Sequence, residues 1–261
     1  MSSADRLPAD ARAIRRIEAA LSAAFADAGY EEVIVPLVED EDVYVSGAEL
    51  RVVSGTEVLG LRADFTGPVA RMVSTRLREV EGPIRLCYRG VLFRGGRQQW
   101  QAGCEGFALG VGADVEIVRV ALDAVRRAGV EGARAVCGDA GAIEALAPGA
   151  LANPELRQAL DRRDADALRS IPALASILRK PTPTEALSLL AQQLGDAVVL
   201  DPAHIRAFPY YTGLVFDLYA PGFPKPIGGG GRYDGLCGRY GRARPAVGFS
   251  VDVELLARGA A

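Results

Sequence analysis

Four successive glycines, Gly228, Gly229, Gly230 and Gly231, constrain this chain more than any other feature. Glycine runs let a backbone approach another group closely, because no Cβ stands in the way. The run lies inside a stretch, 204–256, that opens with Arg206 and the pair Tyr210 and Tyr211. A strand-like run, Leu214–Tyr219, comes before the glycines, and Arg232, Tyr233 and Asp234 follow them. A second apolar run, 245–251, then enters a short helical pattern. No Gly-Lys-Ser/Thr follows the glycines and no GxGxxG turn surrounds them, so this is not a phosphate-binding loop. The bland alternative is a flexible turn. The Arg and Tyr neighbours favour the floor of a small-molecule pocket built on sheet strands.

The rest of the chain supplies a sheet and helices for that floor. Residues 10–29 carry Ile14, Ile17, Leu21, Phe25 and Ala28 at helical spacing, with Gly29 as a stop. Val33, Ile34 and Val35 make a short strand before Pro36, and the acidic stretch 37–50 reads as a loop or short helix. A strand is expected over 56–62, then a helix capped by Thr66 with Val69, Met72, Val73, Leu77 and Val80 on one face. Strands over Ile84–Arg94 and 98–109 are joined by Gly95 and Gly96, an antiparallel hairpin. A helix over 114–128 and a short strand over 134–137 follow. Aromatics then vanish over 139–196, where short Ala/Leu/Arg helices succeed one another; Asn153-Pro154 and Thr182-Pro183-Thr184-Glu185 are helix starts, the latter a capping box with proline at its first position. This reads as a small helical insertion before a strand at 197–200. The fold class is α+β, a largely antiparallel sheet flanked by helices, in one domain spanning 1–261.

Polar residues placed to meet a ligand cluster in three places. Gln101, Gly103 and Glu105 alternate onto one strand face, and Arg94 on the partner strand can share their concavity. A Gln and a carboxylate opposite an Arg suit a zwitterionic or basic ligand, although a solvated face with ordinary cross-strand pairs has the same pattern. Asp64 and Thr66 stand at a strand-to-helix junction, either as plain caps or as an anchor for an amine. Arg206, Tyr210 and Tyr211 divide between pocket and packing. His204, the single histidine, reads as an exposed loop residue.

Composition removes several classes. The net charge of −3 gives no basic surface for nucleic acid. Cys87, Cys104, Cys137 and Cys237 are scattered, with no CxxC or Cys/His cluster, so no metal site and no cofactor are expected. Free thiols without a secretory signal, and no run of membrane-spanning length, fit the cytoplasm.

Together these segments resemble the histidyl-tRNA synthetase family of class II aminoacyl-tRNA synthetases. The stretch from Gly29-Tyr30 to Pro36 resembles motif 1, and LRADFT (61–66) the segment that holds the amino group. YRGVLFR followed by QAGCE resembles motif 2, IRAFPYYTGLVFD the histidine-binding signature, GGGGRYDGL the glycine-rich strand, and PAVGFSVDVELL motif 3. The resemblance implies an amino-acid pocket of Asp64, Thr66, Arg94, Gln101, Glu105, Arg206, Tyr210 and Tyr211, floored by Gly229, Gly230 and Tyr233. Carboxylates would face the ligand's ammonium or imidazole, and Arg its carboxylate. Asp64 stands where the synthetase has Glu, and Pro209 where it has Asp.

The departures matter as much. The motif 2 loop, which contacts ATP and the tRNA end, is cut to Gly95-Gly96. Leu255 stands where the ATP-clamping Arg of motif 3 would be, in a segment Asp252-Val253-Glu254-Leu255-Leu256 that brings a carboxylate to the phosphate position. The sequence ends at Ala261, so no anticodon-binding domain is expected and no tRNA as partner. A synthetase-like core with these losses is similar to the regulatory subunits of ATP phosphoribosyltransferase. That resemblance implies a non-catalytic chain, with no catalytic residues of its own. It would be needed for the activity of a short catalytic subunit and for histidine feedback in the first step of histidine biosynthesis. It would act as a dimer within a hetero-octamer. Histidine could use the remnant pocket or a subunit interface. The alternative is a minimal amino-acid-activating enzyme.

Overall fold

A computed structural model describes residues 5–44, 47–206, 208 and 210–259; Pro209 lies outside them. In chain order the elements are α1 (Pro8–Asp27), β1 (Glu31–Glu32), β2 (Val38–Glu39), β3 (Arg51–Ser54), β4 (Glu57–Leu61), α2 (Thr66–Thr75), β5 (Ile84–Arg94), β6 (Arg97–Phe107), α3 (Ala113–Arg127) and β7 (Arg134–Asp139). Four helices follow, α4 (Ala140–Leu146), α5 (Pro154–Asp161), α6 (Pro172–Arg179) and α7 (Glu185–Leu194). The chain then returns to strand with β8 (Val198–Leu200), β9 (Leu214–Tyr219), β10 (Gly228–Arg232) and β11 (Ala246–Asp252), and closes with α8 (Val253–Gly259).

An eight-stranded sheet runs in the order β1-β5-β6-β11-β10-β9-β7-β8. Its outermost pairings, β1 with β5 and β7 with β8, are parallel, and the inner ones antiparallel. Two-residue periodicity divides its side chains between two cores. Cys104, Phe216 and Phe249 pack with Ile17, Leu21 and Phe25 of α1 and Ile117, Val118 and Ala121 of α3. Leu86, Phe107 and Val215 turn the other way, toward Val69 and Val73 of α2, Ile143 of α4 and Leu160 of α5. The result is α+β, as expected.

Local chemistry explains the boundaries. Pro8 opens α1, where a missing N–H costs nothing, and the Asp10 carboxylate accepts from the Leu7 amide at 3.3 Å. Helix α3 carries Asp114 and Glu116 in its first turn and Arg126 and Arg127 in its last, matching the helix dipole. The hairpin between β5 and β6 pairs Arg94 with Arg97 across Gly95 and Gly96, whose φ values of 61° and 67° make the two-residue turn.

Several expectations need correction. The strand expected at Val33–Val35 lies instead at Glu31–Glu32; after the Val33 amide bonds the Cys87 carbonyl the chain leaves the sheet, and Ile34 is 92% exposed. The acidic stretch holds a short 3-10 turn, Glu41–Val43, and the strand β2, which joins β4 and β3 in a small second sheet, β2-β4-β3; the strand Arg51–Ser54 has no apolar-polar alternation to announce it. Thr66 does not cap α2. The Asp64 carboxylate does, accepting from the Gly67 amide at 2.8 Å. Thr184, not Thr182, caps α7, with its hydroxyl accepting from the Leu187 amide and Pro183 outside the helix. His204 is buried rather than exposed.

Candidate functional site: an acidic cavity on the glycine strand

The register of the central strands lays out the site. Opposite one another across four strands stand Gly103 of β6, Ser250 of β11, Gly229 of β10 and Asp217 of β9. One step along, Glu105 faces Gly248, and one step the other way Gln101 faces Asp252. Side chains absent from the middle of these rows leave a trough. Long side chains from its edges lie down into it. A Cβ on Gly248 would collide with the Glu105 carboxylate, and a Cβ on Gly229 with the Arg206 guanidinium. The glycines therefore make room for the protein's own Glu105 and Arg206 first, and through them shape the cavity.

That cavity has a volume of about 190 Å³. It brings together all eleven residues expected at the pocket. Asp64 and Thr66 enter from the start of α2, Arg94, Gln101 and Glu105 from the β5–β6 hairpin, and Arg206, Tyr210 and Tyr211 from the segment before β9. Gly229, Gly230 and Tyr233 complete it from β10 and the residues after it. Gly230 pairs with Phe249, so by alternation it belongs to the opposite face and borders the cavity through its backbone.

Glu105 is the centre. Its side chain is buried, and three hydroxyls point at it: Thr66 at 2.8 Å and Tyr88 at 3.3 Å on Oε1, and Tyr233 on Oε2. Burial pushes its carboxyl up to about 7, against the hydroxyl hydrogen bonds, which favour the charged form. Burial also raises Asp64, opposed by the Gly67 amide and by the charge of Arg94. Arg94 donates from Nη2 to the Ala63 carbonyl at 2.8 Å and lies over the Phe208 ring. Phe208, Tyr210, Tyr211 and Tyr233 form an aromatic wall, with successive centroids 5.3, 4.8 and 5.8 Å apart along Phe208–Tyr210, Tyr210–Tyr211 and Tyr210–Tyr233.

Sequence reading missed Asp217. It ends the histidine-signature segment on the cavity face and pairs with the Arg206 guanidinium, which also donates to the Phe216 carbonyl at 2.8 Å. His204 Nε2 lies 3.1 Å from its other oxygen. The alternation of Val215 and Asp217 behind Arg206 was the available signal. Gln99, Ser250 and Asp252 also border the cavity. Asp252 accepts from the Leu255 amide at 2.9 Å and has Lys225 Nζ at 3.6 Å. Leu255 packs against the α1 side of the core, and Glu254 pairs with Arg6. Four carboxylates, Asp64, Glu105, Asp217 and Asp252, thus meet two guanidinium groups, one already paired. Such a site favours a ligand carrying an ammonium or imidazole group. Of the other hairpin arginines, Arg85 pairs with Glu116 and Arg89 with Glu32, away from the cavity. Among the described residues no group of His, Cys, Asp and Glu could hold a metal ion, and no helix is long and apolar enough to cross a membrane.

The sheet, its trough and the segments around it define a histidyl-tRNA synthetase-type class II fold, and the histidyl-tRNA synthetase family model matches residues 2–200 and 183–256. Among solved structures, a histidine–tRNA ligase subunit from Alicyclobacillus acidocaldarius superposes with a TM-score of 0.77 at 27% identity, over 98% of this chain and 97% of that one. Within that class the chain belongs to the ATP phosphoribosyltransferase regulatory subunit family. It is 38% identical to a protein of that name from Burkholderia cenocepacia, over 98% of this chain and 80% of the relative. Identity to the Moorella thermoacetica protein of the same name is 34%, with the same coverage. A Bacillus halodurans structure described as an ATP phosphoribosyltransferase regulatory subunit/histidyl-tRNA synthetase superposes with a TM-score of 0.85 at 25% identity, over 98% of this chain and 81% of that one.

Proposed function

We propose that this chain is a regulatory, non-catalytic subunit of ATP phosphoribosyltransferase, required for the activity of a short catalytic subunit and for its inhibition by histidine. One observation carries the reading. The cavity keeps the acidic and aromatic complement for an amino acid, but Asp252 lines it where the resemblance to the synthetase implies that a nucleotide phosphate would need a cation. Adenylate formation depends on stabilising that phosphate charge, and a carboxylate opposes it. The core packing of Leu255 supports the same conclusion.

The ligand of the cavity is histidine. Its ammonium or imidazole meets Glu105 and Asp64 beside the Thr66 hydroxyl, and its carboxylate meets Arg94. Arg206, which also lines the cavity, adds a second guanidinium. Feedback then requires that histidine bind one state of the assembly better than another. The assembly is a dimer of this chain within a hetero-octamer, in the cytoplasm. The chain acts as one synthetase-like domain, with 139–196 as a helical insertion and without tRNA.

The test combines this chain with a short-form catalytic subunit and measures phosphoribosyl transfer with and without histidine. A complex on size exclusion, activity that depends on the chain, and inhibition by histidine are expected. A catalytic subunit equally active alone, with no complex, refutes the reading. Histidine-dependent ATP–pyrophosphate exchange by this chain alone would instead identify the minimal amino-acid-activating enzyme.

A further inference from the structure

The cavity's Arg206 side is not held by the sheet alone. Residues 201–206 run as a strap between β8 and the cavity, and helix α5 lies behind it. Asn153 caps α5, with Oδ1 accepting from the amides of Glu155 at 2.9 Å and Leu156 at 3.2 Å. The next residue, Arg157, is half-buried and turns its guanidinium away from the helix. Nη1 donates to the Leu151 carbonyl at 3.2 Å and Nη2 to the Arg206 carbonyl at 2.9 Å. Just past the helix, Arg163 pairs with Asp201 at the strap's other end. Apolar contact reinforces both ties. Leu151, Leu156 and Leu160 belong to the same core as Ile205, Phe208, Tyr210 and Tyr211.

Arg206 therefore has its backbone held from α5 and its side chain held over Gly229 by Asp217. The two grips lie on opposite sides of one residue. A shift of the guanidinium toward an incoming carboxylate loosens its pairing with Asp217 and starts from a backbone that Arg157 holds. We propose that Arg157 is a positioning residue for the cavity: it sets Arg206 from outside and makes helix α5 report whether the cavity is filled. The coupling half rests on the amino-acid reading given above. The positioning half does not.

The experiment uses hydrogen–deuterium exchange on the full chain, comparing wild type with Arg157→Leu, which keeps an apolar stem but no donors, and Arg157→Lys, which keeps a charge and a donor. Arg179→Ala is the control; Arg179 pairs with Asp166 in the same helical stretch and, among the described residues, makes no hydrogen bond or ion pair to the strap. Without ligand, residues 201–206 should exchange about tenfold faster in Arg157→Leu, the scale of one lost hydrogen bond. Arg157→Lys should fall between, and the control should match wild type. Wild-type exchange in Arg157→Leu overturns the positioning role. If that variant does not fold, wild-type exchange in Arg157→Lys overturns it. With L-histidine, wild type should gain protection in 154–161 as well as 201–206, whereas Arg157→Leu should bind about tenfold more weakly by calorimetry and gain it only in 201–206. Histidine binding that leaves 154–161 of wild type unchanged overturns the coupling. A wild type that binds no histidine overturns the amino-acid reading, and the ligand-free comparison still decides the positioning role.

Discussion

Replacing Glu105 by Gln should flatten the dependence of stability on pH. The carboxyl is buried with three hydroxyls and, among the described residues, no paired cation, and burial lifts it from an ordinary 4.5 to about 7. A group that holds its proton more tightly when folded stabilises the fold most at low pH. That contribution is complete below the unfolded value of 4.5 and is lost as pH rises through 7. Linkage over pH 5 to 8 gives a loss of about 2–3 kcal/mol from this residue alone. Gln is nearly isosteric, cannot titrate, and meets hydroxyls that can turn to donate or accept. Asp64, also raised by burial, adds a slope of the same sign in both proteins, so the difference between them reports Glu105 together with its repulsion from Asp64. Urea unfolding at pH 5, 6, 7 and 8 measures it. Wild type should lose about 2–3 kcal/mol more than Glu105→Gln between the extremes. Parallel profiles would refute the reasoning, since Glu105 would then be ionised alike in both states.

Three further outcomes can be measured on the same preparations. Gly248→Ala should cost about 1–3 kcal/mol in urea unfolding, because the new methyl meets the Glu105 carboxylate and stands 2.7 Å from the Cys104 carbonyl, which the sheet holds fixed. Leu160→Ala, at a fully buried position behind the strap, should cost about 2–5 kcal/mol, checked by the same method. The four free cysteines are buried; burial raises Cys87 to about 11 and Cys137 to about 12. A thiol reagent at pH 8 should label them slowly in the native protein and at once in denaturant, followed by absorbance.

The site was more legible in the sequence than its wiring. Alternation alone puts Gln101 and Glu105 on one face, and the Gly95-Gly96 turn fixes the hairpin that carries them. The glycine run marked the trough. What it could not reveal is that the space belongs first to Glu105 and Arg206, because that depends on the register of β6, β10 and β11, set by contacts far apart in sequence. His204 and Asp217 were misread or missed for a related reason. A buried His near a carboxylate has no local spacing signature. The strand Arg51–Ser54 lacks alternation because all four of its residues are exposed. Thr66 looked like a cap by position, but it is already the first residue of the helix; its hydroxyl donates to the Glu105 carboxylate, and Asp64 makes the cap.

The trough also sets how this protein can diversify. A floor shaped by missing side chains can change only by being filled, and filling it at Gly248 or Gly229 evicts Glu105 or Arg206 at once. Gln99, Gln101 and Ser250 border the same cavity without that penalty. New ligand preferences in descendants of this chain will therefore be written along the rim, while the glycines beneath stay frozen.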